Sequence, residues 1–318
     1  MPAGSDDRRL EGALGFVRAA AATMLLFLSG FVLPVGGPLL MLLTPQPGLR
    51  LRERAGTRRL VSLVAVVAIA VGAIAGTAPV VVYLATFALV TLLLPVILER
   101  EWSIEVTVGV VVIAVASAVL AAALAVSDPT TWFATIRQSL EQTRDEAVKV
   151  YGQAGFSAEV LEDLQRGSRS LVELVLRLSP ALFLGAIAST VLLNLELMRR
   201  RQRLAGLVPV FGDLTRWKSP PELVWLLIAS GYGTFLPSGP FAPLAMNVFA
   251  LLAGIYFCQG LVIAQFYMRR WHSPFWVNGL VYLFIVIEWL LATGVTLVGV
   301  FDLWADFRRL DPRPVEED

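Results

Sequence analysis

The strongest constraint on this chain is a succession of long apolar runs. Eight stretches of mainly apolar residues, at about 12–33, 58–76, 79–98, 104–126, 180–198, 220–236, 241–268 and 275–307, are separated by polar breaks. A hydrocarbon core about 30 Å thick takes roughly 20 helical residues to cross. Backbone amides and carbonyls there must be paired within the segment, so such runs become helices. The sequence therefore predicts an all-α fold, a polytopic transmembrane helix bundle of about eight spans with a helical extramembrane insertion. The sixth run is short and the last two exceed the minimum, which predicts tilt or kinks. After the first run, the turn from Pro34 to Pro38 leads into an apolar tail ending at Leu43. That tail is too short to cross and predicts a re-entrant or interfacial piece.

Composition removes the main alternatives. The chain is 57% hydrophobic and 16% charged, whereas soluble domains average roughly 45–50% and about 25%. One cysteine rules out a disulfide framework and one histidine a multi-histidine metal site. A net charge of +1 argues against nucleic acid as a partner. There is no P-loop and no dinucleotide-binding glycine turn, so no cofactor and no ATP site are expected. His272, beside Trp271, reads as an interfacial residue.

The polar stretch 128–178 divides the chain into an N-terminal four-span half, 1–127, a helical insertion, 128–178, and a C-terminal four-span half, 179–318. Asp128-Pro129 predicts a helix that puts Phe133, Ile136, Leu140, Ala147 and Tyr151 on one face. Gly152 and Gly155 end it, and Ser157 caps the next. The insertion is a lid or docking hairpin on one reading and an amphipathic connector on the membrane surface on the other. Ser103 is expected to cap the fourth span. Ser179-Pro180 marks the start of the fifth, and Ser219-Pro220-Pro221-Glu222 fits a capping box for the sixth.

Fourteen Lys and Arg residues fall in 44–60, 99–103, 199–219 and 269–274, against eleven in the N-terminus, the insertion and the C-terminus. The first set is expected in the cytoplasm, with both termini outside, in a bacterial cytoplasmic membrane.

Glu288 lies near the middle of 275–307, where an ionised carboxylate costs roughly 2.5–3.5 kcal/mol. Ala292, Val295 and Gly299 follow on its face, which predicts that Glu288 points into the bundle. On the seventh span Asn247, Gly254, Cys258 and Gln265 fall within about 20° of one line, with Tyr256 and Gln259 off it. Glu288, Asn247, Cys258 and Gln265 are the candidate binding residues. The alternative for each is structural: a protonated carboxyl, interhelical hydrogen bonding, or a small packed thiol. Rows of small residues such as Gly15, Ala19 and Thr23 read as ordinary helix packing.

Three C-terminal segments carry a family resemblance: Phe211 to Trp225 (FGDLTRWKSPPELVW), Asn247 to Tyr267 with its Phe257-Cys258-Gln259-Gly260-Leu261 centre, and Gly299 to Arg309 (GVFDLWADFRR). With Gly30 to Pro47 they resemble the YybS-like bacterial multi-pass membrane proteins. The resemblance implies a multi-pass fold and brings no catalytic residue with it. The N-terminal half is distantly similar to the substrate-binding components of energy-coupling-factor transporters. That likeness implies that the row of Gly15, Ala19 and Thr23 docks a coupling subunit.

The expected function is non-enzymatic: binding or moving a small molecule, lipid or ion. The alternative is a membrane scaffold that docks a partner through 128–178 or the Arg-rich loops. The expected partners are the lipid bilayer, a membrane protein and a small-molecule ligand, with no nucleic acid.

Overall fold

The computed structural model describes residues 5–33, 36–126, 129–154, 156–207, 211–236 and 241–310. Among them the chain is helical, with no strand. In order the helices are α1 (Ser5–Val32), α2 (Gly37–Met41), α3 (Pro45–Ala55), α4 (Thr57–Ala75), α5 (Thr77–Val82), a π-helical turn (Tyr83–Ala88) and α6 (Leu89–Leu98). There follow α7 (Ile104–Val126), α8 (Pro129–Gln153), α9 (Ala158–Leu204), a 3-10 turn (Leu214–Arg216), α10 (Leu223–Gly233), α11 (Phe241–Arg270), α12 (Phe275–Ile287) and α13 (Trp289–Ala305). Among the described residues six helical segments are long and apolar enough to cross a membrane: Glu11–Val32, Thr57–Ala75, Thr77–Leu98, Ile104–Ala125, Glu159–Leu204 and Phe241–Arg270. The chain is a polytopic helical membrane protein. Its residues fall into two compact units, 1–139 with 186–210, and 140–185 with 211–318.

In the first unit α1, α4 and the π-helical turn enclose a core of Phe27, Leu60, Leu63, Val67, Val71 and Tyr83. Phe27 stands edge-on to Tyr83 and Phe87, with ring centroids 5.4 and 5.8 Å apart, the favoured aromatic arrangement. Ala19 and Thr23 are buried in this unit, and the Thr23 hydroxyl donates to the Ala19 carbonyl at 2.9 Å. Two members of the row are thus used in the chain's own packing, while Gly15 is exposed. Ser103 caps α7 as expected, its hydroxyl accepting from the Val106 amide at 3.4 Å.

The stretch after α1, expected as a re-entrant or interfacial piece ending at Leu43 and then a loop, continues into a helix buried along much of its length. Leu39 to Leu43 lead into α3, which opens with Pro45 at its first position, where no amide is needed. Pro45, Gln46, Gly48, Leu49 and Leu51 are buried. A side chain at Gly48 would crowd Thr91 at 2.8 Å, so α3 needs glycine there. The Gln46 side-chain amide donates to the Asn194 carbonyl at 2.9 Å, and Asn194 donates to the Leu42 carbonyl at 2.8 Å. Arg201 donates to the Gln46 side-chain oxygen and to Glu53. The bond from Asn194 satisfies one backbone carbonyl of the tail, and the others tie α3 to α9.

In the second unit, Ser179-Pro180 does not start a helix, because α9 runs unbroken through it. Proline removes one amide and opens the ladder around it. Asn247 of α11 repairs the gap. The Ala181 amide donates to the Asn247 side-chain oxygen at 2.9 Å, and the Asn247 amide donates to the Arg177 carbonyl at 2.8 Å. Ala181 and Arg177 are four residues apart, so Asn247 stands in for one helical hydrogen bond. Ser179 turns inward and donates to the Leu176 carbonyl at 2.9 Å, which the proline leaves without its usual partner. Asn247→Leu strands both groups and is expected to cost about 1–3 kcal/mol. In a Pro180→Ala background the ladder can close directly, so the cost should fall to about 1 kcal/mol or less. Equal costs in both backgrounds, measured by unfolding in micelles, would refute the bridging role.

The expected sixth span, 220–236, forms only the 11-residue α10. The Ser219–Glu222 capping box does not form, because the Ser219 amide and hydroxyl donate to Gln259 of α11 instead. At its other end Gly233 faces Ala245, where an added Cβ would stand 2.7 Å from the Ala245 methyl. Gln259 and Ala245 are fourteen residues apart, about 21 Å along a helix. The short α10 therefore runs antiparallel to α11 over most of a hydrocarbon core.

The last expected span is not continuous. α12 and α13 meet at Glu288 with a bend of 101°. In the insertion, Ser157 caps α9 as expected, accepting from the Val160 amide at 3.4 Å. Ile136 and Tyr151 of α8 are exposed on the chain, each at 44%. The side chain of Phe133, and Asp128 and Gly155, lie outside the described residues.

Candidate functional site

α11 and α13 are in direct backbone contact at two glycines. A Cβ on Gly260 would collide with the Val295 carbonyl, and one on Gly299 with the Tyr256 carbonyl. Farther along, Asp302 meets Gln259, and the Tyr267 hydroxyl donates to the Phe307 carbonyl at 2.8 Å. Tyr256 meets Gly299, Gln259 meets Asp302 and Tyr267 meets Phe307, a rise on both sides that makes the two helices parallel. α12 therefore leaves the C-terminal end of α11, and α13 returns to it.

This overturns the expected position of the end of the last span. Residues 305–309 lie at the same end of their unit as 215–218 and 267–271, not opposite them.

At the returning end sits a buried polar hub. The side chains of Asp302 and Arg308 are fully buried and 2.7 Å apart. One Arg308 terminal nitrogen donates to the carbonyls of Thr215 and Trp217, at 2.7 and 2.8 Å. The other donates to Asp302 Oδ2, which also accepts from Gln259 Nε2 at 3.2 Å. Asp302 Oδ1 accepts from the Phe307 amide at 3.1 Å. Gln259 Oε1 accepts from the amide and hydroxyl of Ser219, at 3.0 and 2.6 Å. Asp302 lies in the last turn of α13, where the helix dipole disfavours an anion. The Arg308 cation offsets that and the burial together. The three motif segments 211–225, 247–267 and 299–309 all supply members of this hub.

The hub holds the turn after α13, and the exposed side of that turn forms one wall of a groove of about 790 Å³. Tyr267, Arg270, Trp271, Ala305, Asp306, Phe307 and Arg309 line it. Asp306 and Arg309 have left-handed backbones, φ 37° and 51°, unusual for residues with side chains. The Lys218 ammonium binds Asp306 at 2.9 Å, and Arg269 pairs with Asp213 at 3.1 Å. Arg270 and Arg309 have no side-chain partner among the described residues.

The four sequence candidates are not brought together. Asn247 is spent on the Pro180 gap. Cys258 and Gln265 are half-buried, and no hydrogen bond reaches either side chain among the described residues. Glu288 does not point into the bundle: it is exposed, at the break, and its carboxylate has no partner among the described residues. Its charge sits at the N-terminus of α13, where the dipole favours an anion. Gly299 does mark a close helix contact, as its small size predicted. The residues that sequence reading missed are Ser219, Gln259, Asp302 and Arg308. Their one sequence signal was concentration in the three motif segments. No group of three or more metal-ligating side chains occurs among the described residues.

Comparison with known proteins bears on the whole of this arrangement. A family model described as "Predicted membrane protein (DUF2232)" matches residues 21–303. No curated protein and no solved structure matches. The matched stretch begins within α1 and ends within α13, taking in both units and most of the hub. The chain belongs to the DUF2232 family of predicted membrane proteins.

Proposed function

We propose that this protein is a non-enzymatic component of a bacterial cytoplasmic membrane that binds a small molecule, lipid or ion in the groove at the end of α11 and α13. The observation that carries the reading is a groove of ligand size, about 790 Å³, with two arginines that no other described residue engages. The buried hub supports it by fixing one wall. On this reading the Arg-rich end faces the cytoplasm, and the YybS-like motifs serve to build the groove. An energy-coupling-factor-like docking of a coupling subunit on the row of Gly15, Ala19 and Thr23 has only Gly15 to offer, because Ala19 and Thr23 are buried in their own unit.

A scaffold role is the second reading. In its favour, Val150 of α8, Leu171 and Leu174 of α9 and Phe156 between the two helices are exposed along with Ile136 and Tyr151. Native mass spectrometry of the protein extracted from its own membrane separates the two. A retained small ligand that is lost on Trp271→Ala with Phe307→Ala supports groove binding. A ligand-free protein that instead carries a second protein, released by deleting 129–153, supports the scaffold.

A further inference from the structure

We propose that the groove binds the phosphate of an anionic phospholipid, with Arg270 and Arg309 as its ligands; this rests on the groove-binding reading above. The first argument is charge. The groove wall carries one carboxylate, Asp306, and Lys218 neutralises it. Asp213, near the end of α11, is neutralised by Arg269, and Asp302 by the buried Arg308. Among the described residues Arg270 and Arg309 are left as uncompensated cations, both exposed. A guanidinium presents five donors in a planar fork that fits a phosphate in bidentate fashion. Two of them lining one groove offer donors enough for one phosphate.

The second argument is position. Arg270 and Trp271 end the 30-residue α11, where the chain leaves the apolar layer. Trp271 is 71% exposed, and Trp and Tyr at helix ends sit at headgroup level. From the groove the outer side of α13 continues as an exposed apolar strip of Trp304, Phe301, Val298 and Leu297. A free phosphate has no use for such a strip, whereas an acyl chain lies along it. The third argument is size. About 790 Å³ exceeds what a bare ion fills and suits a headgroup with its glycerol.

The test uses the full-length protein in detergent with phosphatidylglycerol and phosphatidylcholine of equal chain length, and inorganic phosphate as a third probe. Each interfacial arginine is worth about 1 kcal/mol toward an anionic lipid. Two together predict a preference for phosphatidylglycerol of roughly 30-fold. In Arg270→Gln with Arg309→Gln this should fall to within about threefold, and in Arg216→Gln it should stay. Both arginines are exposed and unpartnered, so the double variant should melt like the parent. An anionic preference unchanged in the double variant overturns the proposal. Inorganic phosphate displacing the lipid at equal concentration overturns the lipid source. A neutral or cationic ligand held in the groove with no anionic preference overturns the proposal and leaves groove binding standing. No ligand retained by the parent protein overturns both.

Discussion

Arg308→Met is expected to destabilise the second unit by about 3–5 kcal/mol, because it leaves the Asp302 carboxylate charged and fully buried. Asp302→Leu should cost about the same for the converse reason, with the Arg308 guanidinium left against the carbonyls of Thr215 and Trp217. The pair removed together should cost far less than the sum. Taking two charges out of water is itself expensive, and apolar residues of like volume are often neutral replacements. The double variant does strand Gln259 Nε2 and the Phe307 amide, which lose Asp302 as acceptor. A residual cost of about 1–3 kcal/mol is therefore expected. Unfolding of the three variants in mixed micelles gives the coupling energy directly. Additive single costs would mean that the two groups act independently.

Gly260→Ala and Gly299→Ala are expected to be the next most damaging changes. Each methyl meets a backbone carbonyl of the facing helix, which cannot swing aside as a side chain can. Forced overpacking of this kind costs typically 1–3 kcal/mol, and Gly→Val at either site should cost more. Gly254 on α11 and Gly294 on α13 supply the control. Nothing lies within 4 Å of a Cβ at either. Alanine there should stabilise by about 0.5–1 kcal/mol through helix propensity alone. Opposite signs within one helix, in the same unfolding assay, would locate the contact. A uniform effect across all four glycines would contradict it.

How much of this was legible in the sequence depends on range. Hydropathy found the crossing helices, since it measures a property of each segment alone. Local caps were partly legible: Ser103 and Ser157 behave as their sequences predict. Ser219 does not, because a distant side chain, Gln259, offers its amide and hydroxyl an acceptor. Pro180 read as a start because its missing amide suits a first turn, yet α9 continues, since Asn247, sixty-seven residues on, closes the ladder. Glu288 was placed by assuming one unbroken helix, and no glycine or proline lies at the break to warn otherwise. Gln259 was set aside because it falls off the polar line of α11. That line was drawn through residues of similar type, whereas α13 touches the face carrying Tyr256, Gln259 and Gly260. The return of α13 to the Arg-rich end has no local signature at all. It rests on Asp302, Arg308, Thr215 and Trp217 meeting from segments far apart in the chain.

That return is the claim on which the hub and the groove both depend, and sidedness tests it. With Cys258 replaced by alanine, single cysteines are placed at Arg216, Phe235 and Leu310 and treated with a membrane-impermeant maleimide in sealed, oriented vesicles. Arg216 and Phe235 lie at opposite ends of α10 and define the two sides. Leu310→Cys is expected to label with Arg216→Cys and to be protected when Phe235→Cys is labelled. Labelling of Leu310→Cys together with Phe235→Cys would place the end of α13 on the wrong side of the membrane and contradict the account.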